Sequence, residues 1–168
     1  RHSLNVMGGH DDVYSLLPAG YTIFFGATPE EAADLALISF RTSALSLIPV
    51  ANCMDGFSTS HMLSEARLPE DDLVREYLGD PTCRIKCPTV AQEILYGDAQ
   101  GMRQLVPSLV DTDNPGMSGA VQNQPDFQSG VADSRTHFAA DVPRLARRAM
   151  DEYNALTGRE YAPVRTFM

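Results

Sequence analysis

Two short polar segments contain the side chains of this sequence that could do chemistry. In the first, His10, Asp11 and Asp12 follow a Gly-Gly pair, so an imidazole and two carboxylates stand close together. Such a group could hold a divalent metal or act as an acid–base pair. One histidine and two adjacent aspartates are few ligands, however, and a turn stabilised by aspartate side chains explains the same residues. His10 and Asp12 are the candidate residues of this polar cluster.

The second segment reads Asp-Gly-Phe-Ser-Thr-Ser-His over residues 55–61 and predicts a binding loop. Its hydroxyl groups can donate to a phosphate or a carboxylate, and its glycine allows close approach of a ligand to the backbone. The candidate site residues of this loop are Asp55, Gly56, Ser58, Thr59, Ser60 and His61. Residues so close in sequence rarely form a hydrolytic triad, and no Gly-x-Ser-x-Gly motif surrounds them, which argues against a hydrolase.

Other common site motifs are missing from the sequence. It has neither the glycine-rich dinucleotide fingerprint nor a P-loop, which counts against independent binding of NAD or ATP. Cys53, Cys83 and Cys87 do not have the spacing of a redox pair, a zinc site or an iron–sulfur site, so we predict no metal site. Their odd number favours reduced thiols in an intracellular compartment, the cytosol or the mitochondrial matrix.

The elements that must position these segments are predicted to form a β-α-β unit. Residues 21–25 and 50–54 are short apolar runs bounded by turn residues, which is typical of buried strands. Between them, Thr28, Pro29 and Glu31 supply an N-cap, a first-turn proline and a capping box. This order predicts parallel strands with a right-handed crossover. Ligands bind beyond the carboxyl ends of such strands, so we expect residues 55–61 at that edge of the sheet.

The fold class predicted from this unit is α/β, with three layers and a mostly parallel central sheet. Helices are also predicted at 69–77, at 88–96 and after Asp141, which we expect to cap a final helix that ends at Gly158. Residues 107–135 are rich in Pro, Gly, Asn, Gln and Asp without a sustained period, which predicts an irregular surface segment.

Composition excludes several classes of protein. The chain has 168 residues, 43% of them hydrophobic and 21% charged, which excludes a disordered tail, a collagen-like repeat and a membrane bundle. A net charge of −9 argues against a nucleic-acid partner, and no apolar stretch approaches the length of an integral membrane segment. Because the sequence begins with Arg1, we expect a processed start or a segment of something longer.

Five segments of this sequence occur in an order known from one enzyme family. They are Gly-Gly-His-Asp-Asp-Val at 8–13, Thr-Pro-Glu-Glu-Ala and Asp-Leu-Ala-Leu within 28–37, Asp-Gly-Phe-Ser-Thr-Ser-His at 55–61, Val-Gln-Asn-Gln-Pro-Asp at 121–126 and Leu-Thr-Gly-Arg-Glu-Tyr at 156–161. They resemble motifs of the pyruvate:ferredoxin (flavodoxin) oxidoreductase family, the thiamine-diphosphate-dependent 2-oxoacid oxidoreductases. The resemblance spans nearly the whole chain. The chain is similar to the later part of the family's first, pyrimidine-binding domain.

That resemblance implies a pyruvate-type oxidoreductase that passes electrons to ferredoxin, flavodoxin or a similar acceptor. It implies that residues 1–168 form a single partial pyrimidine-binding-like domain, incomplete at its N-terminal side. Thiamine diphosphate, Mg²⁺ and iron–sulfur clusters are implied for the parent assembly and not for this chain alone, because the family's thiamine-activating glutamate and its metal and cluster motifs lie elsewhere. No catalytic residue of the family is identifiable here. The implied partners are other subunits or domains of a large, oligomeric redox complex.

The sequence also departs from the family motifs. Ser58 stands where the family has an arginine, residues 17–20 replace an Arg-Gln-Thr-Gly run, and about twenty extra residues lie within 68–102. A hydroxyl or a leucine cannot replace a bidentate arginine contact to a carboxylate. Two functions therefore stay open. The chain is part of a working oxidoreductase, inactive in isolation, or a non-catalytic structural or accessory subunit of a larger redox complex.

Overall fold

Two apolar runs form the parallel strands that organise this fold. In the computed structural model, which describes residues 8–108, 121 and 123–164, they are β1 (Thr22–Gly26) and β2 (Val50–Met54). The strands pair in parallel, with Phe24 opposite Asn52. The Asn52 side chain donates to the carbonyl of Ala32 in the intervening helix at 2.7 Å, so this face of the sheet is the one the helix covers. The predicted β-α-β unit and the α/β fold class are confirmed.

Helix α2 (Pro29–Ser46) connects the two strands and begins where the sequence predicts. Thr28 Oγ1 accepts a hydrogen bond from the backbone N–H of Glu31 at 3.1 Å, which satisfies one of the free donors of the first turn. The Glu31 carboxylate reaches one residue further back than in a capping box, because it accepts from the N–H of Ala27 at 2.8 Å. The two bonds fix the chain between β1 and α2.

The core lies mainly between α2 and the last helix, α6 (Val142–Thr157). Its buried apolar side chains include Leu35, Ile38 and Leu45 from α2 and Leu145, Ala149, Met150 and Tyr153 from α6. Gly158 ends α6 in a left-handed conformation, as predicted. Asp141 does stand at the start of α6, but the expected side-chain cap is wrong. Its backbone is helical rather than extended, and its carboxylate accepts from the Arg144 guanidinium at 2.6 Å instead.

Three further α-helices, one turn of 3₁₀ helix (Leu17–Ala19) and a second sheet complete the elements of described residues 8–108. The α-helices and the strands are α1 (Asp11–Tyr14), α3 (Asp71–Leu78), α4 (Val90–Tyr96) and the antiparallel pair β3 (Arg84–Lys86) and β4 (Met102–Gln104). The helices predicted at 69–77 and 88–96 are confirmed. The β3–β4 pair escapes sequence analysis because a strand of three residues is too short to show an alternating pattern. Within the described part of the chain, no helix is both long and apolar enough to cross a membrane.

The irregular segment predicted for residues 107–135 is wrong over its second half. Helix α5 (Gln124–His137) occupies that part, and Asn123 caps it by accepting from the N–H of Asp126 at 3.1 Å. None of the α5 residues is buried, so the helix has little of the apolar periodicity on which the sequence prediction relied. Residues 109–120 and 122 lie outside the described residues.

Candidate functional site

The two polar segments predicted from the sequence meet beyond the carboxyl ends of β1 and β2. Asp55 is the first residue after β2. His10 lies against Phe25 of β1, with ring centroids 4.8 Å apart. Gly8 lies so close to Asp55 that a methyl group on Gly8 would overlap the Asp55 carboxylate. The structure therefore brings His10 and Asp55 to one edge of the sheet, although 45 positions separate them in the sequence.

Asp55 is oriented by the backbone of its own loop. Its Oδ1 accepts the N–H of Ser58 at 2.6 Å and that of Phe57 at 3.0 Å. The Ser58 N–H makes the largest contribution to holding the pKa of Asp55 below its ordinary value, against the opposing effect of desolvation, and the Phe57 N–H, the Ser58 side chain and the charge of His10 add to it. The result is a carboxylate that stays ionised and holds one orientation.

The remaining loop residues divide into anchors and exposed groups. Thr59 is 2% exposed, and its hydroxyl donates to the carbonyl of Ala27 at 3.4 Å, so this predicted site residue anchors the loop to the start of α2. The Ser60 hydroxyl donates to the carbonyl of Gly56 and closes the turn. The ring of His61 stacks on Phe57 with centroids 5.1 Å apart and stays exposed, as do Gly56 and Ser58.

Asp12 does not join the same group. Its carboxylate accepts the N–H of Val13 at 2.7 Å in the first turn of α1, and its charge adds to burial in raising the pKa of the Cys53 thiol. Within the described residues, His10 and Asp12 form no ion pair with each other. The described residues also contain no group of three or more His, Cys, Asp or Glu side chains that could hold a metal ion.

Sequence analysis missed three residues that shape this site: Gly8, Phe25 and Phe57. Gly8 makes room for the Asp55 carboxylate, and each phenylalanine supports one histidine ring. Two of these residues could have been found from their positions in the sequence. Phe25 stands next to the end of β1, and Phe57 lies inside the predicted loop. Together with Asp55 and the two histidines, His10 and His61, these residues make an exposed edge. This edge offers an oriented carboxylate, two imidazoles and aromatic surface. Such a site can accept hydrogen bonds from, and stack on, a flat polar ligand.

Comparison with known proteins identifies relatives along almost the whole chain. A family model described as pyruvate flavodoxin/ferredoxin oxidoreductase, thiamine-diphosphate-binding, matches residues 1–141. The pyruvate-flavodoxin oxidoreductase of Rhodospirillum rubrum is 31% identical over 160 residues, which is 95% of this chain and 12% of that protein. The protein of the same name from Trichormus variabilis is 28% identical over 159 residues, again 95% of this chain and 12% of the relative.

A third relative covers more of its own length. The pyruvate-flavodoxin oxidoreductase of Nostoc sp. is 28% identical over 159 residues, which is 95% of this chain and 34% of the relative. This chain therefore spans between about an eighth and a third of the length of these relatives.

Proposed function

Because this chain belongs to the pyruvate flavodoxin/ferredoxin oxidoreductase, thiamine-diphosphate-binding family, we propose that it is a segment or subunit of a 2-oxoacid oxidoreductase. The reaction would oxidise a pyruvate-type 2-oxoacid and pass electrons to flavodoxin, ferredoxin or a similar acceptor. One observation carries this proposal. The family-like segments at 8–13 and 55–61 meet beyond the carboxyl ends of two parallel strands, where α/β sheets of this kind bind ligands.

The residues at this edge suit one part of thiamine diphosphate better than the other. The cofactor has a flat aminopyrimidine ring at one end and a Mg²⁺-bound diphosphate at the other. An oriented Asp55 carboxylate and the exposed Phe57–His61 stack can accept from an amino group and cover an aromatic ring. We propose that this chain lines one wall of the cofactor site, and that the metal ligands and the iron–sulfur clusters belong to other parts of the assembly.

A second candidate function is a non-catalytic structural or accessory subunit of a larger redox complex. The observation in its favour is Ser58, which stands where the family motif has an arginine. Its backbone N–H and its side chain both form hydrogen bonds with Asp55. Because its side chain is a neutral hydroxyl, Ser58 offers no positive charge to an anionic substrate. A 2-oxoacid would then need its carboxylate contact from another part of the assembly.

The experiment that separates the two functions starts from the native complex, with its intact mass and subunit inventory determined. We expect bound thiamine diphosphate and 2-oxoacid-dependent reduction of flavodoxin or ferredoxin. Asp55→Asn should lower the rate about tenfold or more, because the neutral amide is a weaker acceptor. Asp80→Asn is the matched control, because Asp80 also accepts a backbone N–H in an exposed turn, that of Thr82 at 2.7 Å, but lies in another loop.

The outcomes of this experiment are distinct. A complex that contains this chain but neither binds thiamine diphosphate nor oxidises a 2-oxoacid would favour the accessory role. Equal effects of Asp55→Asn and Asp80→Asn on the rate would show that Asp55 has no specific role in the site. For residues 1–168 alone, we expect calorimetry with thiamine diphosphate and Mg²⁺ to show weak binding or none, because half of a cleft leaves most of the ligand in water. Submicromolar binding to the isolated chain would contradict that expectation.

A further inference from the structure

The loop that contains the candidate site is long, and its two halves are held differently. Residues 55–61 fold on themselves, and Thr59 attaches them to Ala27. Residues 62–68 then run toward α3 without helix or strand, with every side chain exposed. Within the described part of the chain, the hydrogen bonds that join residues 62–68 to elements outside the loop are all made by Arg67. The outer half of the loop thus depends on one attachment point.

That attachment joins three distant parts of the chain. The backbone N–H of Arg67 donates to Glu30 Oε1 at 2.9 Å, and its carbonyl accepts from Arg159 Nη2 at 3.0 Å. Glu30 and Arg159 also pair directly, with Nη1 and Oε2 2.9 Å apart. Glu30 lies in the first turn of α2, whereas Arg159 follows the end of α6. The three residues form a closed ring of contacts, which we call the Arg159 clasp.

The guanidinium of Arg159 also pairs with a buried carboxylate. Its Nε lies 3.2 Å from Asp34 Oδ2, and Asp34 is completely buried. The hydroxyls of Tyr153 and Tyr161 donate to Asp34 at 2.6 and 2.7 Å, so this carboxylate cannot swing away. A guanidinium has five N–H donors in a planar fork and can therefore serve Asp34, Glu30 and the Arg67 carbonyl together. A lysine ammonium at this position has no comparable fork.

We propose that Arg159 is a positioning residue for the candidate site, because its clasp fixes the outer end of the loop that carries residues 55–61. This rests on the proposed function only in taking that loop as the site. An arginine that merely neutralised Asp34 would need no bond to a loop carbonyl. The Leu-Thr-Gly-Arg-Glu-Tyr segment at 156–161, far from the site in sequence, thereby contacts the loop that carries the site.

The test uses the full protein in the assembly in which it purifies. Trypsin cleaves after arginine, so the rate of cutting between Arg67 and Leu68, measured by mass spectrometry, reports directly on the clasp. Hydrogen exchange over residues 56–61 reports on the site itself. Arg159→Lys retains a charge beside Asp34 but loses the fork. We expect this variant to be cut after Arg67 about fivefold faster or more, with faster exchange over 56–61, while its melting temperature changes little.

Arg41→Gln is the matched control. Arg41 pairs with Glu152 at 2.8 Å between α2 and α6, so its loss weakens the same helix pair without touching the loop. Unchanged cutting and exchange in Arg159→Lys would overturn the proposal, and so would an equal increase in Arg41→Gln. If Arg159→Lys fails to fold, Glu30→Gln takes its place, because it weakens the acceptor of the Arg67 N–H and leaves the Arg159–Asp34 pair intact.

These outcomes do not depend on those for the proposed function. A loop released in the Arg159 variant of a complex that lacks thiamine diphosphate would support the clasp and contradict the cofactor proposal. An unchanged loop in the Arg159 variant of a complex that holds the cofactor and oxidises a 2-oxoacid would contradict the clasp and support the proposed function.

Discussion

Arg103 shows how a single residue can join a sheet to the core. It is 2% exposed, and within the described residues it has no carboxylate partner. Its guanidinium instead donates to oxygen atoms of Gln92, Ala44, Leu45, Gln104 and Leu105. The carbonyls of Ala44 and Leu45 belong to the last turn of α2, where acceptors have no helical partner and the helix dipole is negative. Arg103 therefore fastens the β3–β4 sheet to α2.

Replacing Arg103 should have a large effect on stability. Arg103→Met removes a buried cation and the hydrogen bonds that the buried Gln92 side-chain oxygen and Leu105 carbonyl accept from it. We therefore expect the free energy of unfolding to fall by about 3 kcal/mol. Denaturant titration followed by circular dichroism measures it. Arg75→Met is the control, because Arg75 and its partner Asp72 are largely exposed and should contribute less than about 0.5 kcal/mol. A similar loss in both variants would contradict the role of Arg103.

Asp55 makes the order of the site loop depend on pH. The backbone N–H of Ser58, followed by that of Phe57, lowers the pKa of Asp55 below its ordinary value of 3.8. A lowered pKa in the folded state means that the stabilisation is complete above the unfolded value and is lost as pH falls through the folded value. We therefore expect the amide resonance of Ser58 to titrate in NMR spectra with a midpoint below 3.8.

This titration has a simple internal check. Asp55→Asn should abolish the acid titration of the Ser58 amide while the hydrogen bonds within α2 and α6 persist. A midpoint above the ordinary value would show that the Ser58 and Phe57 N–H groups do not bind the carboxylate in solution.

At the scale of elements, the junction between β1 and α2 sets the shape of the site edge. Gly26 ends β1 and is buried. A Cβ atom there would lie 2.9 Å from the N and 3.0 Å from the Cα of Ala32. These are backbone atoms of the first turns of α2, so they cannot turn aside as a side chain could. The close approach lets Ala27 reach both Glu31 and Thr59.

Gly26→Ala should therefore force β1 and α2 apart. We expect a loss of about 2 kcal/mol in the free energy of unfolding, the usual cost of overpacking a tight contact. Gly56→Ala is the matched control after the other strand, since a Cβ there would meet nothing within 4 Å. It should change stability by less than about 0.5 kcal/mol. If Gly26→Ala were as stable as Gly56→Ala, the strand and helix would not approach as closely as described.

At the scale of the whole molecule, much apolar surface stays exposed. Phe25, Met54 and Phe57 at the site edge are between 37% and 49% exposed, and Ile94 on α4 is 77% exposed. Each sheet described has only two strands, so each has two open edges. Soluble monomers rarely tolerate large apolar patches together with free strand edges. We propose that neighbouring domains or subunits of a larger complex cover these surfaces.

Expression of residues 1–168 alone tests that proposal. We expect light scattering to show self-association at micromolar concentration and hydrogen exchange to show weak protection, because the exposed surfaces lack their partners. The same chain within its native complex is the reference and should be well protected. A monodisperse, well-protected monomer would show that the chain needs no partner.

The sequence alone determines the elements whose signals are local. The strands β1 and β2, the cap at Thr28 and the terminator Gly158 all depend on residues within about four positions of one another. Strand runs, caps and glycine terminators act wherever they occur in a chain. For the same reason both segments of the candidate site could be identified from the residues, and parallel pairing could place residues 55–61 at the carboxyl edge.

Only the tertiary structure decides what depends on contacts between distant residues. An arginine in a sequence predicts an exposed side chain, yet Arg103 is buried because the carbonyls at the end of α2 satisfy it. The sequence predicts Thr59 as a site hydroxyl, but its hydroxyl donates to the carbonyl of Ala27 and so anchors the loop. The approach of His10 to Asp55 and of Arg159 to Arg67 brings together residues that are 45 and 92 positions apart in the sequence. Packing of this kind depends on the whole set of side chains at once, so no local pattern encodes it.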